Sequence, residues 1–287
     1  MKKFVTMAVA LTMALGLVAC GSKSDDAQTA PETEEVQAEV TEEAETETAE
    51  AAEERTTFTV GFDAEFPPYG YKDDSGNYTG FDLDLAKEVC ERNNWTFKAQ
   101  PIDWDAKDAE LDSGSIDCIW NGFTIDGRED NYTWSEPYFD NKQVFVVKTD
   151  AGINSPADLK GKTVEVQKDS SALAALQGDN KTLADTFGTL TEVADYNTAF
   201  MDLEGGACDA IAMDIGVGEY NIKTKNATDK FQILKESITS EKYGIGFKLG
   251  NTALKDQVQS TLDEMFADGT VSKIAAKYGI SEDALII

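Results

Sequence analysis

Hydrophobic positions along residues 57–283 alternate between two periods, which predicts strands followed by helices. In TFTVGFD every second residue is apolar (Phe58, Val60, Phe62), so this stretch is predicted to be a strand. FDLDLAKEVCERNN has helical spacing, with acids in its first turn, where the helix dipole favours them. The helical segment DAKDAELDSG breaks at Gly114, and the strand IDCIW follows. Strands that alternate with helices indicate βαβ units and a parallel sheet.

The same order resumes beyond Asp150. SPADLKGKTVEVQ predicts a helical turn and a strand, SSALAAL a short helix, and TAFMDLEGGACDAIAMD a helix and a buried strand. The frame L-x-x-G-x-x-D-x-I occurs at residues 111–119 and again at 203–211. Chance, convergent βα packing and duplication can each explain one such repeated frame. In each case the chain is predicted to build two similar α/β units.

Two strand-like segments connect these units. YTWSEPYFDNKQVFVVK ends in the first, and KYGIGFKLGN is the second, followed by two C-terminal helices. If both segments cross between lobes, lobe 1 consists of residues 57–142 plus 243–287, and lobe 2 of residues 143–242. Two connections form a hinge, and a cleft between hinged α/β lobes is a common ligand site. The predicted fold class is therefore α/β, with two lobes joined by a two-strand hinge.

The first twenty residues have the pattern of an export signal. Lys2 and Lys3 precede an apolar run that leads into LVACGS. The cysteine after Leu-Val-Ala resembles a lipobox, in which Cys20 is the lipidated first residue of the mature protein. The alternative is an uncleaved membrane helix, but the apolar run is short for a span of about 20 residues. We expect an extracytoplasmic protein that is lipid-anchored to the cell membrane.

Charge is distributed unevenly along the chain. Residues 21–56 hold thirteen acids against Lys23 and Arg55 and contain no aromatic residue, so they are predicted to be a disordered tether. The whole chain has 25 Lys+Arg and 54 Asp+Glu, a net charge of −29. The signal contributes +2 and the tether −11, which leaves −20 for residues 57–287. Such a balance argues against nucleic acid or an anionic membrane surface as a partner of the folded part.

Cysteine and histidine usage excludes several kinds of site. The chain contains no histidine, and the spacing of Cys90, Cys118 and Cys208 does not resemble a zinc site. We predict that these three are small buried residues; a Cys90–Cys118 disulfide is the alternative. No nucleophile or general base stands out. We therefore predict no catalytic residue, no metal and no cofactor.

Seven motifs, in this order, resemble a known family: VGFDAEFPPYGY, GFDLDLAKEV, DWDAKDAELDSGSID, NGFTIDGRE, SEPYFD, DLKGKTVEVQ and CDAIAMD. They are similar to the polar amino-acid substrate-binding proteins of bacterial ABC transporters, the family 3 solute-binding proteins, over residues 57–283. The resemblance implies a periplasmic-binding-protein-like fold, each lobe a sheet flanked by helices. It further implies a monomer that closes around one amino acid and delivers it to a membrane permease. A dehydratase-like enzyme on this fold and an amino-acid sensor are the alternatives.

The resemblance also implies how the ligand backbone is held. In the family an arginine shortly after a G-x-T turn pairs with the ligand carboxylate, and Arg128 follows the turn from Gly122 to Thr124. A guanidinium fork matches both carboxylate oxygens, which a lysine cannot do. Thr124 and the amide of Gly122 would add hydrogen bonds. Ser170 and Ser171, at a helix start, are implied to face the same carboxylate.

The remaining implied contacts surround the other groups of the ligand. Asp214, at the carboxyl end of a strand, corresponds to the acid that holds the ligand ammonium. Phe66 and Trp104 correspond to aromatic walls. Gln167 and Asp63 match positions that reach the ligand side chain, and an acid there suits a hydrogen-bond donor rather than glutamate or aspartate. The alternatives are a solvated arginine, serine and aspartate helix caps, and ordinary aromatic packing.

Overall fold

The computed structural model describes residues 55–286. The predicted signal, its Cys20 and residues 21–54 of the predicted tether lie outside this range. Within it the strands are β1 (Thr57–Phe62), β2 (Glu65–Phe66), β3 (Gly70–Lys72), β4 (Tyr78–Thr79), β5 (Thr96–Pro101), β6 (Cys118–Ile119), β7 (Thr133–Trp134), β8 (Phe139–Lys148), β9 (Thr163–Gln167), β10 (Thr189–Val193), β11 (Ala210–Asp214), β12 (Phe231–Ile233), β13 (Thr239–Tyr243) and β14 (Gly246–Phe247).

The helices between them are α1 (Phe81–Arg92), α2 (Lys107–Ser113), α3 (Ser171–Gln177), α4 (Lys181–Ala184), α5 (Tyr196–Gly205), α6 (Ile215–Thr224), α7 (Thr252–Ala267) and α8 (Thr270–Lys277). Short 3₁₀ turns add Trp104–Ala106, Pro156–Leu159 and Glu282–Ala284. Among residues 55–286, no helix is both long and apolar enough to traverse a lipid bilayer.

The strands form two larger sheets, and we call the parts that carry them lobe 1 and lobe 2. The lobe 1 sheet has five strands in the order β5-β1-β6-β14-β7, with β1 parallel to β5 and β6. The lobe 2 sheet has the order β10-β9-β11-β8-β12, with β9 parallel to β10 and β11. Helices pack on both sheets. The predicted α/β fold with parallel pairing is confirmed.

The hinge differs from the prediction in one respect. The run KYGIGFKLGN was expected to be one strand, but it is divided between β13 and β14. Strand β13 pairs with β8 in lobe 2, whereas β14 pairs with β6 and β7 in lobe 1. Between them Gly244 packs so closely that a Cβ would lie 2.7 Å from Ile125. The chain therefore changes sheets at a glycine.

The repeated frame at residues 111–119 and 203–211 has the same structure in both lobes. Each glycine follows a helix, α2 or α5, and adopts the left-handed conformation that ends it, with φ of 77° at Gly114 and 80° at Gly206. A side chain would be strained at such angles, because its Cβ approaches the carbonyl oxygen. The glycine thus turns the chain from the helix into a buried strand.

The aspartate of each frame then fixes the position of a neighbouring strand. Asp117 Oδ2 accepts a hydrogen bond from the Thr59 amide at 2.7 Å, and Asp209 Oδ2 accepts one from the Thr163 amide at 2.9 Å. Thr163 begins β9 and Thr59 lies within β1, and in both places the aspartate satisfies a backbone N–H group. The two frames therefore have the same structural role in the two lobes.

The cysteine prediction is confirmed. Cys90, Cys118 and Cys208 are buried and free, so the alternative Cys90–Cys118 disulfide is not formed. Burial raises the pKa of the Cys90 and Cys208 thiols to about 12, which keeps them protonated and unreactive.

Candidate functional site

A small cavity lies between the lobes, and both contribute to its walls. Nine of the ten predicted ligand-binding residues line it. The tenth, Asp63, lies beside it, and Asn121 is a lining residue that the sequence analysis missed. The lining residues are Phe66, Trp104, Asn121, Gly122, Thr124 and Arg128 from lobe 1, and Gln167, Ser170, Ser171 and Asp214 from lobe 2.

Arg128 lies on the loop after β6 and is half-buried. Its Nη1 donates to the Thr124 carbonyl at 3.3 Å, and its Nη2 donates across the cleft to the Asp169 carbonyl at 3.0 Å. Its Cζ lies 5.3 Å from the centre of the Phe123 ring. Among the described residues no carboxylate forms an ion pair with this guanidinium. Its charge and remaining N–H groups can therefore serve another anion.

Asp214 ends β11 on the opposite side of the cavity and is 4% exposed. Its Oδ1 accepts hydrogen bonds from Asn141 Nδ2 at 2.7 Å, Gln143 Nε2 at 2.8 Å and Tyr243 Oη at 2.5 Å. Burial, and secondarily the charge of Glu241, raise the pKa of Asp214 to about 7. None of the ion pairs in residues 55–286 involves this carboxyl group. It is a buried acid without a cation, and a nearby ammonium would stabilise its ionised form.

Glu241 is a second buried acid, and the sequence analysis did not find it. Its Oε1 accepts from Asn141 Nδ2 at 2.8 Å and from Gln143 Nε2 at 2.7 Å, so two side-chain amides bridge Glu241 and Asp214. The signal was present in the hinge strands. Asn141 and Gln143 on β8, and Glu241 and Tyr243 on β13, occupy alternate positions that are all buried. Period-two alternation with polar residues on the inner face could have identified them.

The serine and threonine hydroxyls are oriented differently from the expectation. Thr124 Oγ donates to Glu241 Oε1 at 3.0 Å, and Ser171 Oγ donates to the same oxygen at 3.2 Å. Ser170 is the N-cap of α3, and its Oγ accepts from the Leu173 amide at 3.1 Å. A hydroxyl has a single hydrogen. In this closed arrangement the Thr124 and Ser171 hydroxyls therefore point their hydrogens at Glu241 rather than into the cavity.

The amide of Gly122 is also engaged, contrary to its expected role. It donates to Asp82 Oδ2 at 2.6 Å, and Tyr138 Oη donates to Oδ1 of the same carboxyl group at 2.8 Å. Asp82 is fully buried, and burial raises its pKa to about 7. Gly122 still lines the cavity, with φ of 57°, and a Cβ there would lie 2.9 Å from the Phe66 ring. The glycine brings the backbone close to the cavity, while its N–H faces the core.

Two aromatic side chains, Phe66 and Trp104, line the cavity. Phe66 is buried, with ring centres of Tyr69 and Tyr196 at 5.7 Å and 6.0 Å. Trp104 is half-buried on a 3₁₀ turn and packs edge-to-face on Phe123 at 5.5 Å. Such packing holds each ring in place while part of its surface faces the cavity.

Asp63 and Gln167 join the lobes beside the cavity. Gln167 Nε2 donates to Asp63 Oδ2 at 2.6 Å and to the Ala194 carbonyl at 3.1 Å. Burial raises the pKa of Asp63 to about 6. Asp63 also borders a neighbouring groove, which it shares with Trp104. The hydrogen bond between Asp63 and Gln167 thus lies at the boundary between the cavity and that groove.

Further contacts hold the lobes together at the rim of the cleft. Lys107 of α2 is 1% exposed and forms an ion pair with Asp169, which lies between β9 and α3 in lobe 2. Its ammonium also lies 5.3 Å from the centre of the Trp104 ring. Asn197 of α5 donates to Glu65 of lobe 1. The lobes are therefore in a closed arrangement.

Known proteins share both sequence and fold with this chain. The sequence profile of the bacterial extracellular solute-binding proteins, family 3, matches residues 58–281. A probable histidine-binding protein of Neisseria gonorrhoeae is 29% identical over 290 residues, 98% of this chain and 97% of that protein. The L-cystine-binding protein TcyJ of Escherichia coli (strain K12) is 30% identical over 228 residues, 78% of this chain and 83% of that protein. A structure of an ABC uptake transporter substrate-binding protein from Streptococcus pneumoniae with bound histidine has a TM-score of 0.77 and 31% identity, covering 79% of this chain and 94% of that one.

Proposed function

Because this chain belongs to the bacterial extracellular solute-binding proteins of family 3, we propose that it is the amino-acid receptor of an ABC importer. In this proposal the cavity closes around one polar amino acid, and a membrane permease receives it from the closed receptor. The ligand binds the closed form better than the open form because both lobes contact it only there.

One observation carries the proposal: Arg128 and Asp214 line the same cavity from opposite lobes, and neither has an ion-pair partner among the described residues. An α-amino acid carries its carboxylate and its ammonium on the same carbon atom, Cα. The guanidinium would take the first, and the Asp214 carboxylate would take the second. The aromatic rings of Phe66 and Trp104 would hold the apolar part of the ligand.

The surroundings of Asp63 favour a ligand whose side chain ends in a hydrogen-bond donor. A carboxylate accepts from an ammonium, a guanidinium or an amide, whereas a second carboxylate would be repelled. The groove beside the cavity is also strongly acidic and would attract a cation. Its charged residues are Asp63, Glu65, Asp103, Asp105, Glu110 and Asp195, with Lys168 as the opposing charge.

A thermal-shift screen of residues 21–287 tests the proposal. We expect L-arginine, L-lysine, L-histidine, L-glutamine or L-cystine to raise the melting temperature, and L-glutamate and L-aspartate to have little effect. The amino acid recovered from the complex should be chemically unchanged by mass spectrometry, as a receptor requires and an enzyme does not. No shift with any common amino acid would refute the proposal.

Arg128→Ala tests the guanidinium directly. We expect the variant to bind the screened amino acid at least about 30-fold more weakly, since truncating a desolvated charge partner costs about 2–5 kcal/mol. Arg128→Lys is the matched control: it keeps the charge but not the fork, so its affinity should lie between the two. The melting temperature of the ligand-free protein should change little, because Arg128 bonds only to carbonyl groups. Undiminished affinity of Arg128→Ala would contradict the assignment.

The same proposal includes how the receptor is held at the membrane. Cys20 follows Leu17-Val18-Ala19 and precedes Gly21, and we propose that it carries the lipid. We further propose that the receptor is a monomer when it meets its permease. Metabolic labelling with a fatty acid should mark the wild type and not Cys20→Ala. Light scattering of residues 21–287 should give the mass of one chain.

A further inference from the structure

Four donor atoms lie within hydrogen-bond distance of one oxygen of Glu241, Oε1. Asn141 and Gln143 donate to its Oε1 from β8, Thr124 donates from the loop after β6 in lobe 1, and Ser171 donates from α3 in lobe 2. Glu241 is 5% exposed and forms no ion pair within residues 55–286. One carboxylate oxygen is therefore the shared acceptor for a hydroxyl from each lobe.

The surrounding groups favour one direction for both hydroxyl hydrogens. Gln143 Nε2 donates to Ser171 Oγ at 2.8 Å, so the Ser171 hydrogen points away from Gln143 and toward Glu241. Thr124 Oγ also lies 3.3 Å from Ser171 Oγ, but a carboxylate is the stronger acceptor. With its hydrogen on Glu241, each hydroxyl presents only lone pairs to the cavity that it lines. Asp214 adds carboxylate oxygens to the same corner of the cavity. The corner can then accept hydrogen bonds but has no hydroxyl hydrogen to donate.

We propose that Glu241 is a positioning residue that holds the Thr124 and Ser171 hydroxyls as acceptors, so that this corner takes the ligand ammonium and rejects its carboxylate. The inference rests on the proposed function, because it concerns the orientation of the amino acid in that site. It assigns the carboxylate to the Arg128 side of the cavity. Glu241 acts through the two hydroxyls rather than by touching the ligand.

The bridging amides give a second line of support. Asn141 Oδ1 and Gln143 Oε1 are buried without hydrogen-bond partners, while both side-chain nitrogens donate to Glu241 and Asp214. An unpaired buried oxygen costs free energy. The orientation of these two amides therefore follows the two acids, which draw both side-chain nitrogens toward them.

The test compares an amino acid with its des-amino acid, which lacks only the ammonium. The probes are L-arginine and 5-guanidinopentanoic acid, or the corresponding pair for whichever amino acid gives the largest shift in the screen. Their dissociation constants are measured calorimetrically for the wild type and Glu241→Gln, which keeps the shape and removes the charge. Glu236→Gln, at an exposed site in lobe 2, is the matched control.

We expect Glu241→Gln to bind the amino acid at least about tenfold more weakly and the des-amino acid about as well as the wild type does, as loss of hydrogen bonds to a charged group predicts. Equal weakening of both probes, or of neither, would overturn the proposal and leave Glu241 with a purely structural role. If no amino acid binds the wild type, the proposed function fails and this inference fails with it.

A double-mutant cycle tests whether Glu241 acts through the two hydroxyls or through the direct electrostatic effect of its charge on the ligand. In a Thr124→Val, Ser171→Ala background, Glu241→Gln should change amino-acid affinity less than threefold, because the groups through which Glu241 acts are gone. An undiminished tenfold effect in that background would show that the charge acts directly on the ligand and would overturn the positioning role. This cycle also keeps the proposal testable if Glu241→Gln lowers the melting temperature, since all variants are compared with ligand.

Discussion

Amino-acid affinity should depend on pH through Asp214. Burial next to Glu241 raises the pKa of this carboxyl group from 3.8 to about 7, so in the closed ligand-free protein it is protonated below that pH. A ligand ammonium favours the ionised carboxylate, and binding must therefore release the proton. Affinity is expected to rise with pH up to about 7 and to level off above it.

The size of the effect follows from the pKa. If only the ionised form binds the ammonium, affinity changes by about tenfold per pH unit below the pKa. Between pH 5.5 and pH 8 the dissociation constant should fall by about 30-fold for a pKa near 7. Among the groups facing Asp214, Glu241 raises its pKa further, whereas the hydrogen bonds donated by Tyr243 and Gln143 lower it without outweighing burial.

Calorimetry with L-arginine or L-glutamine, neither of which titrates in this range, would measure the profile. Repeating it in buffers of different ionisation enthalpy counts the released protons, with about one expected near pH 6. Asp214→Asn should bind weakly with a flatter profile, and any slope that remains would belong to the other buried acids, Asp63 with a pKa of about 6 and Asp82 with a pKa of about 7. A flat wild-type profile, or binding that strengthens at low pH, would refute the reasoning.

Two further predictions concern closure and stability. Asp169→Asn leaves the buried Lys107 without its partner, so the lobes should open more readily and amino-acid affinity, measured by calorimetry, should fall about tenfold. Adding Lys107→Met should restore part of that affinity, and no recovery would argue against the ion pair as a closing contact. Asp82 has its pKa raised to about 7, so the folded protein binds more protons than the unfolded chain between pH 3.8 and 7 and loses stability as pH rises. From pH 4 to pH 8 the free energy of unfolding in urea should fall by up to about 4 kcal/mol more for the wild type than for Asp82→Asn. An equal change in the two proteins would contradict the pKa assigned to Asp82.

The fold was predictable because its signals are local. Period-two and helical spacing predicted β1 and α1, and glycine breaks predicted the turns after α2 and α5. The small sheet β2-β3-β4 was missed, because Pro, Gly and Asp-rich sequence around three very short strands has the composition of a turn. The division between β13 and β14 was missed because it depends on which sheet each strand joins, and pairing partners are distant in sequence.

The site was predictable in its members but less so in their hydrogen bonds. Resemblance to a family transfers residue types, and nine of ten transferred residues do line the cavity. It does not transfer the direction of a hydroxyl hydrogen or the partner of an amide. Gly122 was expected to offer its amide to a ligand, yet a fully buried acid forty residues earlier, Asp82, holds that amide. Such pairings arise only when the chain has folded.

The buried acids explain why closure and binding should be coupled. In the closed form Asp214 and Glu241 share two bridging amides and have no cation in ion-pair contact among the described residues. Burying two such carboxyl groups together is unfavourable, and it is relieved by water in an open cleft, by a proton on Asp214, or by a ligand ammonium. Above pH 7 the proton is lost, which leaves opening or binding. The acid pair would then make the closed form depend on bound ligand. A permease that distinguishes open from closed lobes would therefore engage ligand-bound receptors.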